Sequence, residues 1–280
     1  MEHLKIKRSV DMEQIRYPEA LVSKSYEEKY QRATLDLSRM PCSIYYPNID
    51  AVPNEQYALI RKDGLGGSDS SIILGVNPYT TLNQLIEEKC RTELTEEELA
   101  VGQELAVRKG NDLEPLIMRK AAAALQKQVV KPVDMYIHNE YPYLRMNFDG
   151  IVNDPEQYIP CEIKVCTTRG EKHYSFYKAM YTEEEGWGVE PEHFEQSNNS
   201  VITKAAQYGV PPYYYTQCQQ EIMFADAPYG YIAVLAEKAW RLRIFKIWRD
   251  EKCINDIIVQ GGLTWNKIEL RRQQKSTPTI

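Results

Sequence analysis

The chain has 280 residues, 43% of them hydrophobic and 26% charged, which is enough for one large globular domain or two small ones. A formal net charge of −6, from 34 basic and 40 acidic residues, argues against a protein that coats nucleic acid through a broad basic surface, but not against a local basic channel. No apolar run approaches the ~18 residues that span a bilayer; MEHLKIKRSV at the start lacks the apolar stretch of a secretory signal, and six cysteines form no CxxC pair, so a cytoplasmic protein with free thiols is expected.

Residues 1–56 are polar and proline-punctuated and read as an irregular N-terminal extension with one or two helices. In RKDGLGGSDSSIILGVNPYTT, Ser68 or Asp69 looks like an N-cap, Ile72, Ile73 and Leu74 form a buried turn, and Gly75 stops it. Thr81 is placed to cap a helix over 82–91, and Thr95 with Glu98 has capping-box spacing ahead of another. The clearest helix spans 103–126, where Leu113, Leu116, Ile117, Ala121 and Leu125 supply an apolar stripe and Glu114 sits near its edge. Strands are expected at 129–138, 143–153 and 158–166, a helix at 171–180, and an acidic surface loop or lid at 181–200. A helix at 213–224 after Pro211-Pro212, strands at 229–237 and 241–248, a helix over 250–272 and a frayed tail at 273–280 complete the chain. The order describes a mixed α/β core in a single domain over 57–272.

The chemistry concentrates in the central hairpin. Glu162 and Lys164 are two residues apart in a strand and share a face, while Ile163 and Val165 point to the other. With Asp149 before the turn, they form the pair of acids and the lysine that hydrolysis of a phosphodiester uses: acids to hold Mg²⁺, and an ammonium to position water or offset charge on the phosphate. The same pattern also reads as a hairpin with solvated charges. Gly64-Leu65-Gly66-Gly67-Ser68 lacks the Gly-Lys-Ser/Thr end of a P-loop and follows no apolar strand, so neither nucleotide fingerprint holds. Those glycines with Ser68 and Arg61 suit one phosphate at a helix N-terminus, or simply a tight turn. Glu114 could reach over the sheet toward Asp149, and Gln217 and Gln219 could bond phosphate, a base or water; on a helix such residues commonly serve no site. Tyrosines cluster near 141–143, 174–181 and 213–215, as core or as base-stacking platforms. The four histidines lack metal-ligand spacing, and neither GxSxG nor HExxH occurs.

Taken in order, RKDGLGGSDSSIILGVNPY, KGNDLEP, NFDGIV, CEIKVCTT and YYYTQCQQEIM resemble the YqaJ-type viral recombinases, relatives of the lambda exonuclease in the PD-(D/E)XK nuclease superfamily. The resemblance covers about 58–225. It implies a restriction-endonuclease-like α/β (α+β) core, a central mixed sheet flanked by helices. It implies a Mg²⁺-dependent DNA exonuclease, with Mn²⁺ as a substitute, working 5′→3′ on double-stranded ends in phage-type recombination. Asp149, Glu162, Glu114 and the Ile163 carbonyl would hold metal, and Lys164 would be the lysine of the motif. Gln217 and Gln219 would line the site, while Arg61 and Ser68 would grip the terminal 5′-phosphate. A ring-shaped homotrimer and a single-strand annealing protein as partner are implied in the same way. Asn147-Phe148-Asp149 stands where lambda-type sequences carry Ser-Pro-Asp, and the insertion at 181–200 and the N-terminal extension have no counterpart in the compact lambda enzyme. An endonuclease or repair nuclease of the same superfamily, or a non-catalytic DNA-binding protein on this scaffold, are the alternatives.

Overall fold

The computed structural model describes residues 32–96, 98, 105–168, 170–191 and 200–276. The strands are β1 (Arg32–Ala33), β2 (Cys42–Tyr46), β3 (Val129–Pro132), β4 (Met135–His138), β5 (Arg145–Met146), β6 (Ile151–Asn153), β7 (Tyr158–Cys166), β8 (Tyr181–Thr182), β9 (Gly186–Trp187), β10 (Tyr229–Ala236) and β11 (Arg241–Trp248). The α-helices are α1 (Asn54–Ile60), α2 (Ser70–Ile73), α3 (Leu82–Lys89), α4 (Leu105–Leu125), α5 (Val201–Tyr208), α6 (Pro212–Ala225) and α7 (Glu251–Ser276). A large mixed sheet runs β1-β3-β6-β7-β10-β11-β8-β9, and a small antiparallel one runs β2-β4-β5.

The segment YGYIAVLA of β10 is buried almost end to end, as a strand covered on both faces must be. It pairs with β7 in parallel, Glu162 against Ile232 and Lys164 against Val234. A parallel pair needs a long crossover, and α5 and α6 lie within the one between these strands. Helices α4 and α6 both pack on β7 and β10. The expected stripe of α4 is buried at Leu113, Ile117 and Ala121 and partly buried at Leu116 and Leu125. This is the expected mixed sheet flanked by helices.

Several local expectations give way to the tertiary fold. The strand predicted at 129–138 is two strands in different sheets, because Pro132 has no N–H to continue the ladder. The one at 143–153 is likewise split into β5 and β6, with Asp149 and Gly150 between them. No α-helix forms at 171–180, where two 3₁₀ turns flank an extended Tyr174 and Ser175 after it. Tyr174 and Phe176, two apart as in a strand, stack on each other at 5.5 Å and both pack on Phe245. The acidic stretch after 180 begins as the β8–β9 edge hairpin, tied down by Glu183 to Lys120 at 2.6 Å; residues 192–199 lie outside those described. Thr95 and Glu98 exchange their reciprocal capping bonds at 2.7 and 3.2 Å, while most of the helix expected after them lies outside the described residues. Of the N-terminal 56 residues, those described add β1 to the large sheet and β2 to the small one, and α1 crosses the boundary expected at 57.

Helix α7 is anchored at both ends. Asp250 accepts the Cys253 N–H at 3.2 Å and is held by Lys204 at 2.7 Å and Tyr215 at 2.8 Å. Near its other end Arg272 donates to the carbonyls of Lys62 at 2.8 Å and Lys89 at 2.7 Å. The helix runs on to Ser276, past the expected start of the frayed tail.

Candidate active site

Asp149 follows buried Phe148, and Gly150 after it lets the chain run tightly against β7: a Cβ on Gly150 would meet the Cys161 carbonyl oxygen at 3.2 Å. Pairing of β6 with β7 ends at Ile151 opposite Pro160, so the next stretch of β7 faces Asp149 instead of a strand. The Ile163 N–H donates to Asp149 Oδ2 at 3.1 Å. The N–H and C=O of one strand residue point the same way, so the Ile163 carbonyl also faces the Asp149 side. Lys164 lies 3.3 Å from Asp149 Oδ2 and is ion-paired to Glu162 Oε1. Its ammonium also sits 5.3 Å from the centre of the Tyr214 ring. Asp149, Glu162 and Lys164 are therefore one cluster.

Burial sets its electrostatics. Glu162 is fully buried, and its Oε2 receives no N–H donor. Burial first, then the charge of Asp149, raises its carboxyl. Asp149 moves the other way: burial works against its charge, but Lys164, Lys131 and the Ile163 N–H outweigh it and lower the carboxyl. Lys164 is raised well above the usual lysine range; burial opposes its charge and the two acids overcome that. Breaking such a buried pair by removing one partner costs about 3–5 kcal/mol. A fold that carries this arrangement spends stability on it, as functional sites do.

Glu114 does reach the neighbourhood of Asp149, but it is ion-paired to Lys131 of β3 at 2.8 Å. Burial raises its carboxyl, Lys131 opposes the shift and Asp149 adds to it. Two residues of this cluster escaped the sequence reading. Lys131 is the lone charge in the buried strand VVKP, and that lone charge was the available signal. Glu221 is 1% exposed on α6 and faces Glu162 carboxyl to carboxyl; burial first, then that neighbour, raises its carboxyl well above the usual carboxylate range. Gln217 lies one turn before Glu221 and approaches it at 3.5 Å, the i, i+4 relation that could have flagged it.

Gln219 does not join the site. Its amide donates to the Trp248 carbonyl at 2.8 Å and accepts the Asp250 N–H at 2.9 Å, because two positions along a helix turn the side chain to a different face. Arg61 and Ser68 are brought together, Arg61 Nη2 donating to Ser68 Oγ at 3.1 Å. They border a cavity of about 160 Å³ that also touches Gly67, Asn147, Asp149 and Gln217. The helix after Ser68 has four residues only, and the Gly66 N–H is taken by Asp69 at 2.8 Å. Asp69 stands at the N-cap position of α2 but makes no capping bond there: its side chain reaches back to Gly66 and pairs with buried Lys89 at 2.8 Å. Any anion here would meet the guanidinium and the hydroxyl, and the short helix would add little dipole.

Among the described residues no three His, Cys, Asp or Glu side chains converge as a ready metal site, because Lys164 and Lys131 stand between the acids. The donor set nevertheless fits a hard divalent cation. It offers carboxylate and carbonyl oxygens and a buried Glu162 oxygen that no N–H satisfies.

The sequence pattern of the YqaJ-like viral recombinase domain matches residues 56–228, more than half of the chain. No curated protein matches the sequence. Among solved structures, an alkaline exonuclease (LHK-Exo) from Laribacter hongkongensis is similar at a TM-score of 0.52 and 14% identity, over 79% of this chain and 95% of that one. LHK-Exo in complex with dAMP gives 0.51 at the same identity and the same shares. A phage-related exonuclease from Haemophilus somnus 129PT lies at 0.43 and 14%, over 76% and 96%. At these identities the likeness is one of fold. The chain belongs to the YqaJ-like viral recombinase domain family, and its class, a nuclease on an exonuclease fold, follows that membership.

Proposed function

We propose that this chain is a Mg²⁺-dependent exonuclease that degrades double-stranded DNA from 5′-phosphorylated ends, 5′→3′, in phage-type recombination. The observation that carries the reading is the cavity joining Arg61 and Ser68 to Asp149, which sets an anion grip beside the buried acids. Asp149, Glu162 and the Ile163 carbonyl would hold the cation, with Glu114 beside them across Lys131. Bound Mg²⁺ supplies Lewis-acid activation of water and charge stabilisation at the phosphate, and Mn²⁺ suits the same oxygen donors. Lys164 holds Glu162 and Asp149 together without the metal. With DNA bound, its ammonium is free to orient water and to offset charge on the scissile phosphate. Arg61 and Ser68 receive the terminal phosphate through charge-assisted hydrogen bonds, and Gln217 lines the path between the grip and the acids.

Digestion of linear duplexes with 5′-phosphate or 5′-hydroxyl ends, beside a closed circle, tests this. Linear phosphorylated DNA is expected to be lost only with Mg²⁺ or Mn²⁺, faster than its hydroxyl counterpart, and the circle to survive. Equal rates on both ends would remove the roles given to Arg61 and Ser68, and cutting of the circle would make the enzyme an endonuclease. Lys164→Ala is expected to lower kcat by about 10²-fold or more; wild-type activity would leave a DNA-binding protein on a nuclease scaffold. The ring-shaped homotrimer and the single-strand annealing partner rest on family resemblance, and light scattering on the purified chain tests the first.

A further inference from the structure

A row of tyrosines beside the acids is left unused by the proposed chemistry. Tyr79, in the loop between α2 and α3, is 73% exposed. Its ring meets Tyr213 edge-on at 5.9 Å, Tyr213 meets Tyr214 edge-on at 4.5 Å, and Tyr214 lies 5.3 Å from the Lys164 ammonium. Tyr213 and Gln217 are one turn apart on α6 and share a face of it. The outer end of the row therefore stands one helical turn from the side chain that lines the cavity between Arg61, Ser68 and Asp149.

A lone exposed aromatic is ordinary on a protein surface. Tyr79 is set apart by how its backbone is fixed. The Ser71 hydroxyl donates to the Ser68 carbonyl at 3.0 Å and accepts from the Asn77 side-chain amide at 2.9 Å. Asn77 Oδ1 in turn accepts the N–H groups of Tyr79 at 2.8 Å and of Thr80 at 2.9 Å. Tyr79 is thus registered against Ser68, which with Arg61 makes the anion grip. A ring held in place before its ligand arrives loses little freedom on binding.

Position selects the ligand. With a terminal phosphate on Arg61 and Ser68 and the next phosphate at Asp149 and Glu162, the backbone of one nucleotide follows the cavity and its base projects beside it. Tyr79 and Tyr213 offer a base flat apolar faces there, and stacking accepts all four bases, as digestion through arbitrary sequence requires. We propose that Tyr79, braced edge-on by Tyr213, is the stacking platform for the base of the 5′-terminal nucleotide. This rests on the reading of Arg61 and Ser68 as the 5′-phosphate grip.

Binding is measured apart from cleavage, with EDTA present. The full chain is titrated into a hairpin duplex with one open, 5′-phosphorylated end and a fluorophore in the hairpin loop, read by anisotropy, the 5′-terminal nucleotide being intact or abasic. Wild type is expected to bind the intact end about tenfold more tightly than the abasic one, the scale of one base stacked on an aromatic ring. Tyr79→Ala is expected to bind both ends alike, at the wild type's abasic level, and Tyr79→Phe, which keeps the ring, to match wild type. Circular dichroism checks each fold; if Tyr79→Ala does not fold, Tyr79→Leu, apolar but without a flat ring, takes its place with the same expectation. Equal affinity of wild type for intact and abasic ends overturns the stacking role. So does a folded Tyr79→Ala that still discriminates, or a Tyr79→Phe as weak as Tyr79→Ala. A 5′-hydroxyl end bound by wild type as tightly as the 5′-phosphate overturns the grip instead, and no binding to either end overturns both.

Discussion

At the scale of single residues, the helix segment Tyr213-Tyr214-Tyr215-Thr216-Gln217-Cys218-Gln219 shows how neighbouring identical side chains serve different ends. Gln217 lines the cavity and approaches Glu221, whereas Gln219 links α6 to the start of α7 through Trp248 and Asp250. Gln217→Ala is expected to lower kcat about tenfold with the melting temperature nearly unchanged. Gln219→Ala should do the reverse: it leaves kcat near wild type and lowers Tm by about 2–6 °C, the effect of two lost buried hydrogen bonds. Steady-state kinetics paired with calorimetry separates them, and a kinetic defect confined to Gln219→Ala would reverse the assignment. Spacing in the sequence offers both glutamines alike. Only the crossing of α6 over β7 and α7 tells them apart.

At the scale of elements, the chain is legible where one face of a periodic segment is buried. β10, β11, α4 and α6 lie within a residue or two of their expected bounds, since their apolar residues recur at the strand or helix period. The stretch 171–180 is not legible, because Tyr174 and Phe176 are claimed by Phe245 and Tyr214 from other elements. The capping box at Thr95 was legible, and its acid makes a pH prediction. Burial would raise the Glu98 carboxyl, but the Thr95 N–H, Arg91 and Lys62 outweigh it and hold the pKa at about 2. A folded-state pKa below the ordinary 4.5 means stability that is present above about pH 4.5 and lost as the pH falls toward 2. Glu98→Gln is therefore expected to melt about 2–4 °C below wild type at pH 7, with the gap closing as the pH falls through that window. A gap that persists at pH 2 would show that the charge is not what stabilises this turn.

At the scale of the whole molecule, α7 braces the Arg61–Ser68 side of the proposed site from a distance in sequence of some two hundred residues. Arg272 fastens it to the carbonyls of Lys62 and Lys89, next to Arg61, whose own carbonyl accepts from Lys89 at 2.8 Å. Arg272→Ala is expected to lower Tm by about 4–8 °C through lost charge-assisted bonds. It should also narrow the preference for 5′-phosphate over 5′-hydroxyl ends, as Arg61 loses its support. An unchanged Tm in calorimetry would show that α7 is held by its apolar face alone. Among the described residues no helix is long and apolar enough to cross a membrane.

The order of motifs, the shared face of Glu162 and Lys164, and the helices and strands that carry them were all in the sequence, because alternation and helical period are local properties of the backbone. The company each charge keeps was not. Lys131 against Glu114, Glu221 against Glu162, and Gln219 turned toward α7 join residues from different elements. Those pairings depend on how two elements cross, and no periodicity within either element encodes the crossing. The sequence by itself determined that acids and a lysine share a strand and its turn. Packing alone decided which acids stand together around Lys164 and which one Lys131 holds.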